Sequence, residues 1–125
     1  MQKVLLVEDN EINQLVACHL MHEFGIDADV AGDGRAGIEQ LRRGRYDLVL
    51  MDMLMPVMDG LDATREIRRD ARLRELPVIA LTASAMEKDR RACEEAGMDD
   101  FVTKPFEPEE LRAVLSRWLD QGRRK

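Results

Sequence analysis

Cysteine is scarce here. The chain has only Cys18 and Cys93, far apart inside helical patterns and with no Cys-x-x-Cys pair. That excludes a disulfide framework, and the two residues read as reduced, half-buried thiols of a cytosolic protein. Long apolar runs are also missing. The first run, Val4 to Val7, is too short for a membrane span or a signal peptide. There is no low-complexity linker and no repeat at solenoid period. Positive charge is not in excess: the net charge is −6, so bulk electrostatics do not favour nucleic acid. The arginines that gather at Arg65, Arg68, Arg69, Arg72 and Arg74 are spaced as a solvated helix face. His19 and His22 stand three apart with no third ligand beside them, which argues against a metal pair. Phe24-Gly25 likewise breaks any phosphodonor pattern begun by His22-Glu23.

What is present fits one domain of 125 residues. Val4-Leu5-Leu6-Val7 is a buried strand, and Asn10 caps the helix that follows. Ile12, Leu15, Val16, His19, Leu20 and Phe24 recur on that helix at helical spacing, and Gly25 stops it. Ile26 to Ala31 is half polar and suits a sheet edge. Gly32-Asp33-Gly34 turns into a second helix carrying Ala36, Ile38 and Leu41, which Gly44 ends. Leu48 to Met51 is a third strand, apolar throughout as a strand buried on both faces must be. Leu61, Thr64, Ile67 and Arg68 mark a third helix. Pro77 precedes a fourth strand, Val78 to Leu81. Ser84 and Glu87 have the spacing of a capping box for a fourth helix that runs to Gly97. Asp100-Phe101-Val102 is a short fifth strand. A fifth helix starts at Glu107-Pro108 and turns Leu111, Val114, Leu115, Trp118 and Leu119 inward. The domain is expected to span 1–121, with 122–125 a frayed basic tail that could be a cut end of a longer protein.

Five strands alternating with five helices imply a parallel sheet wrapped on both faces by right-handed crossovers. In such a sheet the chemistry sits at the carboxyl ends of the strands. Those ends carry Glu8 and Asp9, Asp52, Thr82 and Lys104, so five polar side chains fall on one rim. Three carboxylates there repel one another unless a cation joins them. Hard oxygen ligands suit Mg²⁺, which accepts one or two carboxylates plus phosphate oxygens. An ammonium and a hydroxyl complete a cage for a phosphoryl group in transfer, with Asp52 as a candidate nucleophile.

The pieces Val7-Glu8-Asp9-Asn10, Met51 to Gly60 (MDMLMPVMDG), Leu81-Thr82-Ala83 and Lys104-Pro105 together resemble the receiver domain of two-component response regulators, over nearly the entire chain. Glu8 to Asn13 and the MPVMDG loop are most similar to receivers of hybrid histidine kinases and phosphorelays. The resemblance implies an α/β fold, doubly wound and flavodoxin-like, with a five-stranded parallel sheet in the order 2-1-3-4-5. It implies that Asp52 is the phosphoacceptor, and that Asp9 and Asp52 bind Mg²⁺ with the backbone carbonyl of Leu54. Glu8 acts through a metal-bound water, Lys104 pairs with the phosphoryl group, and Thr82 bonds it after transfer. Phe101 matches the family's switch aromatic, and the Lys104–Pro105 peptide is expected to be cis.

The implied function is a phosphoacceptor receiver of a two-component or phosphorelay system, charged by a sensor histidine kinase or a histidine phosphotransfer protein. A downstream protein would meet the face made by the fourth helix, fifth strand and fifth helix. The domain would be cytoplasmic and either monomeric or a weak phosphorylation-linked dimer. Two other readings compete. A phosphatase of the haloacid-dehalogenase type needs an acid two residues after its nucleophile, where this chain has Leu54. An interaction module that has lost phosphorylation would not need the intact Asp9, Asp52, Thr82 and Lys104 set.

Leu54 and Ser84 flank the approach of water to an aspartyl phosphate in the family. Leu54 has no group to orient water, and Ser84 is short, so slow self-dephosphorylation is expected. Leu54→Asn should speed first-order loss of the phosphoryl group about tenfold, the scale of one well-placed hydrogen bond. Decay followed by intact mass in Mg²⁺ checks this; equal rates, or a slower mutant, would make Leu54 only a loop residue.

Overall fold

The computed structural model describes residues 2–53, 58–83, 86–104 and 106–122, with 120–122 described by backbone alone. The elements alternate strictly. They are β1 (Lys3–Val7), α1 (Glu11–Glu23), β2 (Asp27–Ala31), α2 (Gly34–Arg43), β3 (Leu48–Asp52), α3 (Gly60–Arg69), β4 (Val78–Thr82), α4 (Glu87–Ala96), β5 (Asp100–Thr103) and α5 (Pro108–Gly122). All strands pair in parallel in the order β2-β1-β3-β4-β5, as expected. The interior strands β3 and β4 are buried at every position, whereas β2, carrying Asp27 and Asp29, takes an edge. An edge strand has one side free for polar groups, so its half-polar sequence is stable only there.

Alternation along the strands divides the core into two layers. Leu5, Val7, Val49, Met51, Val78 and Ala80 face α2, α3 and α4 through Ile38, Leu41, Ala63, Ile67 and Cys93. Val4, Leu6, Leu48, Leu50, Ile79 and Leu81 face α1 and α5 through Ala17, Leu20, Met21, Leu111 and Leu115. Helix starts are capped by side chains where the sequence placed Asn or Asp. Asn10 accepts from the Asn13 amide at 3.0 Å, Asp33 from Ala36 at 2.8 Å and Asp59 from Asp62 at 2.9 Å.

Four expectations need correction. On α1 the buried stripe is Ala17, Leu20 and Met21, while Ile12 and Leu15 are each 71% exposed, Val16 is 42% exposed and His19 is exposed. Both stripes have helical spacing, about 140° apart around one helix, and spacing alone does not say which meets the sheet. Helix α4 begins at Glu87 with Met86 as its N-cap and no capping side chain, so Glu87 is not the third residue of a capping box. Helix α5 continues through Gly122, one residue past the expected domain end. Residues 123–125, the rest of the tail, lie outside the described residues.

The fourth correction is Arg68, which is not on a solvated face. Its side chain is 22% exposed, and it donates to Asp99 Oδ2 at 2.8 Å and to the carbonyls of Gly97 at 2.8 Å, Arg74 at 2.8 Å and Leu76 at 2.7 Å. Asp99 Oδ2 also accepts from the Val78 amide at 2.9 Å. One guanidinium thus clasps the end of α3, the entry to β4 and the turn after α4. Gly97, at φ +104°, closes that turn, and a Cβ there would stand 2.8 Å from Arg68 Cγ.

Arg68→Met keeps the aliphatic stem and removes these donors, leaving Asp99 and three carbonyls to find water. It should lower unfolding free energy by about 2–3 kcal/mol. Urea denaturation with an unchanged slope reads this; a loss below about 0.5 kcal/mol would show that water replaces the clasp without cost.

Candidate functional site

The carboxyl ends of β1, β3, β4 and β5 meet at one rim, and short backbone bonds hold each end in place. The Glu8 amide donates to the Ala31 carbonyl at 3.0 Å, Met53 to Leu81 at 3.1 Å and Lys104 to Thr82 at 2.8 Å. The Gly60 amide donates to the Met53 carbonyl at 3.0 Å, so the start of α3 sits directly on the end of β3. A Cβ at Gly60 would run into the Asp52 carbonyl group, and only glycine allows this approach.

Into this rim project the side chains that the sequence singled out. Glu8 is fully buried, Asp52 and Thr82 are 5% and 7% exposed, and Asp9 is exposed. Lys104 Nζ lies 2.8 Å from Glu8 Oε1 and 3.2 Å from Asp52 Oδ2. The Asn10 amide donates to Glu8 Oε2 at 3.1 Å, and Gln14 Nε2 to the Glu8 carbonyl at 2.6 Å. Burial alone would push the Glu8 carboxyl up. Bonding to Lys104, to Asp52 and to the Asn10 amide, with the charge of the ammonium, outweighs burial and holds it below the ordinary carboxylate range. For Lys104 burial would lower the pKa, but Glu8 and Asp52 raise it above the usual lysine value. The ammonium is therefore charged and stands between the Glu8 carboxylate and the Asp52 side chain.

Single carboxylate oxygens of Glu8, Asp9 and Asp52 all lie within 4.8 Å of one another. An all-oxygen donor set, one side open to solvent through Asp9, fits a hard divalent cation that keeps several of its waters. The cluster lines a cavity of 390 Å³ with Asn10, Asn13, Met53, Leu81, Thr82, Ala83, Asp89 and Lys104. A larger hollow of 510 Å³ lies at the opposite rim, around Tyr46 and Arg72. Its polar groups are taken up locally: Tyr46 donates to Asp29 Oδ2 at 2.7 Å, and Lys3 Nζ is 3.2 Å from the same oxygen.

The structure therefore brings together Glu8, Asp9, Asp52, Thr82 and Lys104. Phe101 stands apart from the cavity, half-buried on β5. Leu54, Ser84 and Pro105 lie outside the described residues. Asn13 and Asp89 were not foreseen. Asn13 is the third residue of α1 and Asp89 the third of α4, and the only signal for either was a polar side chain in the first turn of a helix that starts at the rim.

Comparison with known proteins agrees with this geometry. The family described as "Response regulator receiver domain" matches residues 4–116. The aerobic respiration control sensor protein ArcB of Escherichia coli is 42% identical over 118 residues; the match covers 94% of this chain but only 15% of ArcB. The receiver domain of a sensor histidine kinase from Pseudomonas aeruginosa, solved with a magnesium ion in its active site cleft, is 44% identical. It superposes with a TM-score of 0.89 over 95% of this chain and 98% of that one. A Saccharomyces cerevisiae receiver domain, solved with the histidine phosphotransfer protein of its pathway, is 28% identical, with a TM-score of 0.87 over 94% of this chain and 88% of that one.

Because α3 rests on the Asp52 backbone through Gly60, Gly60→Ala should displace the end of β3. Overpacking of this kind costs about 1–3 kcal/mol, and a cluster of Glu8, Asp9 and Asp52 shifted in this way should take up Mg²⁺ about threefold or more weakly. Calorimetric titration and a thermal melt read both. A variant with wild-type affinity and melting temperature would show that the contact has slack.

Proposed function

The chain belongs to the response regulator receiver family, and on that footing we propose that it accepts a phosphoryl group on Asp52 from a partner's phosphohistidine. The observation that carries the proposal is the convergence of Asp52 with Glu8, Asp9 and Lys104 in one cavity. The Asp52 carboxylate oxygen attacks phosphorus, a P–O bond forms, and the P–N bond to the partner's imidazole breaks. The imidazole leaves with the bonding pair. Asp9 and Asp52, with Glu8 through a water, would hold Mg²⁺, which neutralises charge on the phosphoryl oxygens when bound. Lys104 leaves its pairing with Asp52 to meet one phosphoryl oxygen, and the Thr82 hydroxyl donates to another. The Leu54 carbonyl as a further ligand and the cis Lys104–Pro105 peptide belong to the same proposal.

The donor would be a sensor histidine kinase or a histidine phosphotransfer protein. Support for a docking place comes from α1: the exposed Ile12, Leu15 and Val16 follow directly on Asn10 and Asn13 at the mouth of the cavity. An apolar face beside the acceptor suits a partner helix that presents its histidine to Asp52. Downstream, the signal would pass from Thr82 to Phe101 and reshape the α4–β5–α5 face. Ala80 pairs with Phe101 and Thr82 with Thr103, so Thr82 and Phe101 are diagonal neighbours, and by alternation both fall on the α4 side of the sheet. The domain would act stoichiometrically, assisting its own phosphorylation and dephosphorylation, as a monomer or a weak phosphorylation-linked dimer. A cytoplasmic location belongs to this reading; no described helix is long and apolar enough to cross a membrane.

Acetyl phosphate or phosphoramidate with Mg²⁺ should add one phosphoryl group per chain, seen by intact mass. Asp52→Asn or EDTA should abolish it. Continued turnover of the donor would instead mark a phosphatase, and labelling that survives Asp52→Asn would move the acceptor elsewhere.

A further inference from the structure

Phe101 packs against the core layer that includes Cys93 and Met98. The Arg90 guanidinium carbon lies 4.9 Å from the centroid of its ring. Arg90 follows Asp89 in sequence and stands one turn before Glu94, yet among the described residues it makes no ion pair. Its neighbour Arg91 does, with Glu87 at 3.3 Å. Beside the ring lies a hollow of 90 Å³, bounded among others by Arg90, Cys93, Glu94, Met98 and Phe101. The ring therefore has a cation over one face and unfilled space alongside, and the cation contact belongs to the position the ring now holds.

We infer that Arg90 is a positioning residue whose guanidinium holds Phe101 in its half-exposed setting and so biases the α4–β5 face against rearrangement. This rests on the proposed Thr82-to-Phe101 switch. An exposed cation–π contact changes a two-position equilibrium by about two- to fivefold. Arg90 stands outside the acceptor cavity, and a charge-keeping substitution separates an effect through the ring from one through space.

The test is beryllofluoride, a phosphoryl mimic, titrated with Mg²⁺ while the Phe101 ring signals are followed by NMR. Arg90→Leu should tighten apparent beryllofluoride affinity about two- to fivefold. It should also move the Phe101 signals of the mimic-free protein toward their bound positions. Arg90→Lys, which keeps a cation, should restore both most of the way, and in a Phe101→Leu background Arg90→Leu should change nothing. The inference is overturned if wild-type Phe101 signals respond to beryllofluoride while Arg90→Leu leaves affinity and signals unchanged. An equal effect in the Phe101→Leu background also overturns it, since the ring would then not be the partner. Phe101 signals that stay still in the wild type refute the switch itself, and the role of Arg90 with it.

Discussion

Lys104 places its ammonium 2.8 Å from Glu8 Oε1 and 3.2 Å from Asp52 Oδ2, and the rest of the rim depends on that placement. Two buried carboxylates side by side do not both stay ionised without a cation between them. For the proposed transfer, Asp52 would act in its ionised form, as nucleophile and as oxygen ligand. The three side chains come from three different strands, so the ion cluster exists only when the parallel sheet is complete and in register. Removing the ammonium would leave uncompensated buried charge, which costs about 3–5 kcal/mol.

The fold supplies that register with few devices. Two apolar layers, split by strand alternation, hold the sheet between α1 and α5 on one side and α2, α3 and α4 on the other. Gly60 lets α3 close on the end of β3, and Arg68 clasps the end of α3 to the entry of β4. Both contacts bear on strands that deliver Asp52 and Thr82. Structural and functional roles therefore overlap in this half of the sheet.

The opposite layer shows a different compromise. Helix α1 buries the modest Ala17, Leu20 and Met21 and leaves Ile12 and Leu15 in solvent. Large apolar side chains gain about 1.5–3 kcal/mol from full burial, so a helix that exposes two of them forgoes stability. A surface that meets a partner recovers part of that energy on binding.

By itself the sequence determined the order of elements, the parallel sheet and the rim. Period-2 and period-3.6 apolar patterns are local, and the polar residues Glu8, Asp9, Asp52, Thr82 and Lys104 directly follow or end the strand patterns they interrupt. It also determined the cap at Asn10, because a cap bonds within one turn, whereas Asp33 and Asp59 show as caps only in the structure. Tertiary structure alone decided which stripe of α1 faces the sheet, since two stripes of the same period compete and only the neighbouring strands choose. It decided that Arg68 is a clasp, because its acceptors come from two separate connections, and that Arg90 lies over Phe101, because α4 and β5 meet only in the fold. And it brought Asn13 and Asp89 to the cavity, since a polar residue in a helix's first turn shows its destination only when the helix is docked.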